Sequence, residues 1–175
     1  MEARIAVIGA GYVGLPLDPF YLSWKAREVD FYTEFIELAG KVNENMPYFC
    51  LQKLNRALNG HSKSIRGSRV LLIGVAYKPD IDDLRESPAL KLVELLRGEG
   101  ADVAYHDPHV AELEEHDLRS VPLSDDEIAA ADCIAIVTAH SGVDYAAVLD
   151  GGKLVIDFRN ATGEAGKAAE KVVKL

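Results

Sequence analysis

The sequence predicts an α/β chain built on a doubly wound parallel sheet, and three observations carry that prediction. From Arg69 onward, strand-like and helix-like segments alternate with short loops between them, the pattern of successive β-α-β crossovers. Val70-Leu71-Leu72-Ile73 and Ile134-Ala135-Ile136-Val137 are apolar without alternation, as central parallel strands buried on both faces must be. Near the start, Ala3 to Ile8 run into Gly9-Ala10-Gly11-Tyr12-Val13-Gly14, the GxGxxG spacing of a dinucleotide-binding turn.

Taken in order, residues 1–17 read as a Rossmann-like opening, a strand and glycine turn whose Gly9, Gly11 and Gly14 allow close approach to a pyrophosphate. The helix that should follow is interrupted by Pro16, Asp18 and Pro19, so this segment is a remnant rather than a complete unit. Residues 18–60 read as a helical connector. Within it, Phe35, Leu38, Ala39, Val42, Phe49, Leu51, Leu54 and Leu58 recur at helical spacing over about 31–58, a pattern interrupted near Met46-Pro47 that reads as one long, kinked helix ended by Asn59-Gly60. His61 to Ser68 is a polar linker. The third unit, 68–175, is expected to hold strands at 69–75, 102–106, near 119–121, 133–138 and 153–157. Its helices are expected at 88–97, near 110–115, at 125–131, 143–149 and near 164–173.

Composition narrows the function. Of 175 residues, 19 are Lys or Arg and 28 are Asp or Glu, a formal net charge of −9, which repels nucleic acid and anionic lipid. An anionic ligand must therefore meet a few local cations in a pocket. Apolar runs fall short of a membrane span, and no signal-peptide pattern follows Met1, so the expectation is a cytoplasmic protein. Cys50 and Cys133 sit among apolar neighbours without metal-ligand spacing; both read as reduced core residues, and no metal site is expected. His106 and His109 read as turn residues, and His140 beside Ser141 suggests no triad.

Ligands of open parallel sheets bind beyond the carboxyl ends of the strands, which directs attention to Ala76-Tyr77-Lys78-Pro79-Asp80-Ile81-Asp82-Asp83-Leu84-Arg85-Glu86-Ser87-Pro88. Ser87 and Pro88 suit an N-cap and first helical position, leaving amide donors beside Lys78 and Arg85 that suit a diphosphate. The competing reading is that these two cations only neutralise Asp80, Asp82, Asp83 and Glu86 on a solvated loop.

The string from Val75 to Leu90, with Gly100-Ala101 and His106-Asp107-Pro108, resembles the C-terminal domain of the UDP-glucose/GDP-mannose dehydrogenase family. Asp18 to Glu28 and Phe35 to Asn43 resemble the segment after that family's active-site loop and its central dimer helix, and the wording leans toward the UDP-N-acetylhexosamine 6-dehydrogenase branch. Met1 to Leu17 resembles the family's extreme N-terminus. The resemblance implies oxidation of a sugar primary alcohol to a carboxylate with NAD used twice, through a cysteine nucleophile in a Cys-x-Pro-x-Asp pattern. Here Gly14 stands in the cysteine's place, while Pro16 and Asp18 are kept.

Carried over residue by residue, the resemblance makes Asp18 the water-assisting aspartate and Lys78 a substrate-binding lysine. It makes Arg159 a substrate-binding arginine, Arg85 an arginine reaching NAD, and Gly9, Gly11 and Gly14 the cofactor turn. Asp18 also reads simply as a helix N-cap, and Arg159 as a solvated strand-end charge. Three functions remain open on the residues: a shortened nucleotide-sugar dehydrogenase that binds UDP-sugar without oxidising it, an active NAD-dependent dehydrogenase whose middle is absent from this sequence, and a dimerisation module. A homodimer through the long helix is expected in each.

Overall fold

The computed structural model describes residues 18–174, with side chains from Tyr21 onward. The strand and turn expected at 1–17, with Gly9, Gly11 and Gly14, lie outside the described residues. Two compact units meet in sequence between Met46 and Pro47.

In the first unit, α1 (Asp18–Arg27) turns at Asp30 (φ 57°) into α2 (Glu34–Gly60), which continues into the second unit. Thr33 donates its hydroxyl proton to Ser23 Oγ at 2.6 Å, and Arg27 pairs with Glu37 at 2.8 Å. The expected single long helix is present: α2 runs through Pro47 as one element. Proline at that point removes only its own N–H from the ladder, and the flanking turns keep the remaining bonds. Downstream of Pro47, Leu54 and Leu58 are fully buried, whereas Phe35, Leu38 and Val42 upstream are exposed.

The second unit carries a five-stranded parallel sheet of β1 (Arg69–Ile73), β2 (Asp102–His106), β5 (Cys133–Ile136), β6 (Val155–Asp157) and β7 (Val172–Lys174), in the order β2-β1-β5-β6-β7. Leu71 pairs with Ala104 on one side and Ile134 on the other. Both apolar runs picked out in the sequence are thus central strands, buried on both faces. The crossovers are α3 (Pro88–Gly98), α4 (Asp125–Ala130), α5 (Tyr145–Gly151) and α6 (Gly163–Ala168). Leu71, Ile73, Ile128, Ile134, Ile136, Val148 and Val155 form one buried cluster between sheet and helices. The chain runs to one side of β1 and then crosses to the other, so the topological switch point lies between β1 and β5.

Two expectations are corrected. The helix near 110–115 is a two-residue strand, β3 (Glu112–Leu113), then a 3₁₀ turn (Glu114–His116) and β4 (Leu118–Arg119), an antiparallel pair closed by Asp117 at φ 50°. The helix near 164–173 stops at Ala168, and Val172 leaves it to pair with Val155 in the sheet. Several other strands end earlier than expected: β1 stops at Ile73 because Gly74 turns the chain at φ 78°.

Candidate functional site

The site is built where β1, β2 and β5 end together. Gly74 follows β1 at a positive φ, and a Cβ there would lie 2.1 Å from the Thr138 carbonyl oxygen, so only glycine lets the two strand ends approach this closely. Thr138 in turn donates its hydroxyl proton to Ala76 O at 2.7 Å. From the end of β2, the buried Asp107 carboxylate collects the loops. Its Oδ2 accepts the N–H groups of Val75 (2.7 Å) and Ala76 (3.1 Å), and its Oδ1 those of His109 (2.9 Å) and Val110 (3.1 Å). His140 Nε2 reaches the same carboxylate at 3.0 Å. Burial works against this charge, but the amides of His109, Val75 and Ala76 outweigh it and hold the carboxyl below its usual range.

Those anchors shape the loop between β1 and α3. Tyr77 N–H bonds Asp83 O at 2.8 Å, and Ser87 donates to Val75 O at 2.7 Å while its Oγ accepts Ala89 N–H at 3.3 Å, so the expected N-cap is also a tie to the end of β1. Asp80 stands at φ 62°; its N–H bonds His140 Nδ1 at 3.0 Å, and its Oδ1 accepts Ser141 N–H at 2.8 Å. The Ser141 amide keeps the Asp80 carboxyl below its ordinary value. Lys78 lies between these fixed points, half-buried, with Nζ 5.5 Å from the centre of the Tyr77 ring.

Asp80 Oδ1, His109 Nε2 and His140 Nδ1 lie within 4.8 Å of one another. His140 Nδ1 already accepts the Asp80 N–H, so its in-plane lone pair points at that amide and not at a cation. With Nε2 on Asp107, neither imidazole nitrogen is left to act as a general base.

At the end of β6 a second arrangement forms. Buried Asp157 accepts the N–H groups of Arg159 (3.1 Å), Ala161 (3.0 Å) and Thr162 (2.9 Å), and the Thr162 hydroxyl at 2.5 Å. Here too burial opposes the charge, and the Thr162, Ala161 and Arg159 donors outweigh it, lowering the pKa. A cavity of about 630 Å³ opens beside it, lined by Asp157, Phe158, Arg159, Asn160, Lys167 and Lys174. Its three cations suit an anion. Lys174 also donates to Asn160 Oδ1 at 2.6 Å, and Lys167 pairs with Glu164 at 2.5 Å.

Lys78 and Arg159 thus both lie past strand carboxyl ends, on strands separated only by β5. Arg85, on the same loop as Lys78, is 79% exposed and grips Asp83 through two nitrogens at 2.9 and 2.8 Å. Asp18 opens α1 in the other unit. Sequence reasoning missed Asp107, His140, Lys167 and Lys174. A signal existed for Asp107, a short acid directly after a strand, but none for the meeting of loops from β2 and β5.

Residues 71–164 match the UDP binding domain of the UDP-glucose/GDP-mannose dehydrogenase family. The chain is 35% identical over 162 residues to the UDP-N-acetyl-D-mannosamine dehydrogenase of Pyrococcus horikoshii, covering 90% of this chain and 36% of that protein. It is 30% identical to the UDP-N-acetyl-D-glucosamine 6-dehydrogenase of Pseudomonas aeruginosa, covering 81% of this chain and 33% of that one. Among solved structures, an NDP-N-acetyl-D-galactosaminuronic acid dehydrogenase from Methanosarcina mazei matches with a TM-score of 0.76 and 25% identity, covering 95% of this chain and 38% of that one. The chain spans about a third of the length of the curated relatives it matches.

Proposed function

The chain belongs to the UDP-glucose/GDP-mannose dehydrogenase family, whose UDP-binding domain it contains, and from that premise we propose that residues 68–175 bind the diphosphate of a UDP-sugar through Lys78 and Arg159. The observation that carries the reading is the clasped β1–α3 loop, which holds Lys78 half-buried past the carboxyl end of β1. A lysine held there meets ligand oxygens with little further loss of side-chain freedom. The names of the relatives favour an N-acetylhexosamine as the sugar.

Oxidation by this chain alone is not part of the proposal. Cys50 and Cys133 are buried, and burial pushes the Cys50 thiol up to about 11 and that of Cys133 higher still, so neither supplies the thiolate that the covalent route needs. Among the described residues, Arg85 is the one assigned to NAD, and it pairs with Asp83 of its own loop. An active dehydrogenase would need its nucleophilic thiolate from a cysteine other than these two.

Calorimetric titration with UDP tests the site. A charge-assisted bond is worth roughly 1.5–3 kcal/mol, so Lys78→Ala is expected to weaken binding about 10- to 150-fold at an unchanged melting temperature. Equal affinities would reduce Lys78 to a loop charge.

A second reading concerns assembly, and the exposure of Phe35, Leu38 and Val42 favours it. These side chains follow one another at helical spacing on a single stripe of α2, and Tyr21, Trp24, Phe31 and Tyr32 of the same unit are exposed with them. We propose that a second copy of the chain covers this stripe in a homodimer. Among the described residues, no helix is long and apolar enough to cross a membrane.

A further inference from the structure

Asp80 is held in two directions at once by consecutive residues of the loop after β5. Its amide hydrogen goes to His140 Nδ1 at 3.0 Å, and its carboxylate receives the Ser141 amide at 2.8 Å. The backbone between these two bonds is in the left-handed region at φ 62°, tolerated by aspartate but rarely chosen without restraint. His140 itself cannot turn away. It is fully buried, its Nε2 reaches Asp107 at 3.0 Å, and its carbonyl accepts the Tyr145 hydroxyl at 3.1 Å.

These bonds assign the tautomer. A carboxylate can only accept, so Nε2 carries the proton, and the Asp80 N–H can only donate, so Nδ1 carries the lone pair. An unbroken chain therefore runs from Asp107 at the end of β2, through His140 at the end of β5, to Asp80 in the loop that follows β1. It spans the switch point, and it stops two residues from Lys78.

We propose that His140, in this tautomer, and Ser141 are positioning residues for the nucleotide: they clasp Asp80 so that the preceding residues, Tyr77 to Pro79, hold Lys78 in its binding conformation. The inference rests on the reading of Lys78 as a UDP ligand and adds to it residues that touch no nucleotide. Without the clasp, the loop keeps its ties at Val75, Ala76, Asp83 and Ser87, but the stretch from Lys78 to Asp82 between them is released. Binding UDP must then order that stretch, and affinity falls by the cost of doing so.

UDP titration of the full chain tests this with three single variants and a background. Asp80→Gly removes the carboxylate, relaxes the φ constraint and leaves the buried His140 in place, so it is expected to fold; His140→Ala strikes the same clasp from the other side. Each is expected to weaken UDP binding about 5- to 10-fold, the size of one lost hydrogen bond, and His140→Gln, which offers both an acceptor and a donor, to recover most of the loss. In a Lys78→Ala background Asp80→Gly is expected to have no further effect, because the clasp acts through Lys78. Nitrogen-15 NMR of the histidines is expected to show neutral His140 protonated at Nε2. Wild-type binding with Asp80→Gly at the same affinity, full additivity with Lys78→Ala, or a proton on Nδ1 would each overturn the clasp while leaving the UDP reading standing. Absence of UDP binding by the wild type would instead overturn that reading, and the clasp's role with it.

Discussion

Gly74 is the residue on which the approach of β1 and β5 turns, because both its φ of 78° and the Thr138 oxygen 2.1 Å from its would-be Cβ exclude a side chain. Gly74→Ala is therefore expected to cost on the order of 2–4 kcal/mol, read as a fall in the denaturant midpoint at unchanged slope. A loss within a few tenths of a kcal/mol would mean the strand ends separate readily. Single residues were unevenly legible in the sequence. Lys78, Arg85 and Ser87 were visible because they follow an obvious strand and precede a helix start, which are local signals. Asp107 and His140 were not legible as partners: their contact exists only because β1 lies between β2 and β5, and no local window contains that fact.

At the scale of elements, periodicity read the continuous strands and α2 well and failed where a helix-like segment pairs as a short strand instead. Val110 and Leu113 stand three apart, as on a helix, yet Leu113 pairs with Leu118 across a turn. Ala165, Ala168 and Ala169 promise a longer α6, but Val172 gains more by joining Val155 at the edge of a parallel sheet. The stripe on α2 shows the reverse case, a local pattern correctly read whose partner is not among the described residues: Phe35 is 86% exposed. Sedimentation equilibrium is expected to report a dimer for the wild type, and Phe35→Asp to weaken association about 10- to 100-fold, as burying an unpaired charge in an apolar contact must. A wild-type monomer at high concentration would remove the assembly proposal.

For the whole molecule, the buried carboxylates set the response to acid. Asp107 and Asp157 both have folded pKa values below their ordinary one, so the stability they contribute is fully present above about pH 4, the unfolded value, and is lost as pH falls through the folded values. Melting temperatures are expected to be level from neutral pH to about 5 and to drop steeply below 4, with a shallower drop for Asp107→Asn from a lower plateau. An equal slope in that variant would remove Asp107 from the acid response. The strand order has a consequence in time as well. As the chain emerges from synthesis, Leu71 finds Ala104 early but must wait for Ile134 before its other edge is covered, and Arg159 follows later still. Until then the most apolar strand of the protein presents an open hydrogen-bonding edge, a standing invitation to a neighbouring chain. The proposed anion site, assembled from the first strand of the sheet and its fourth in chain order, forms late, so a nascent chain that holds UDP has already paired β1 with β5 and β5 with β6.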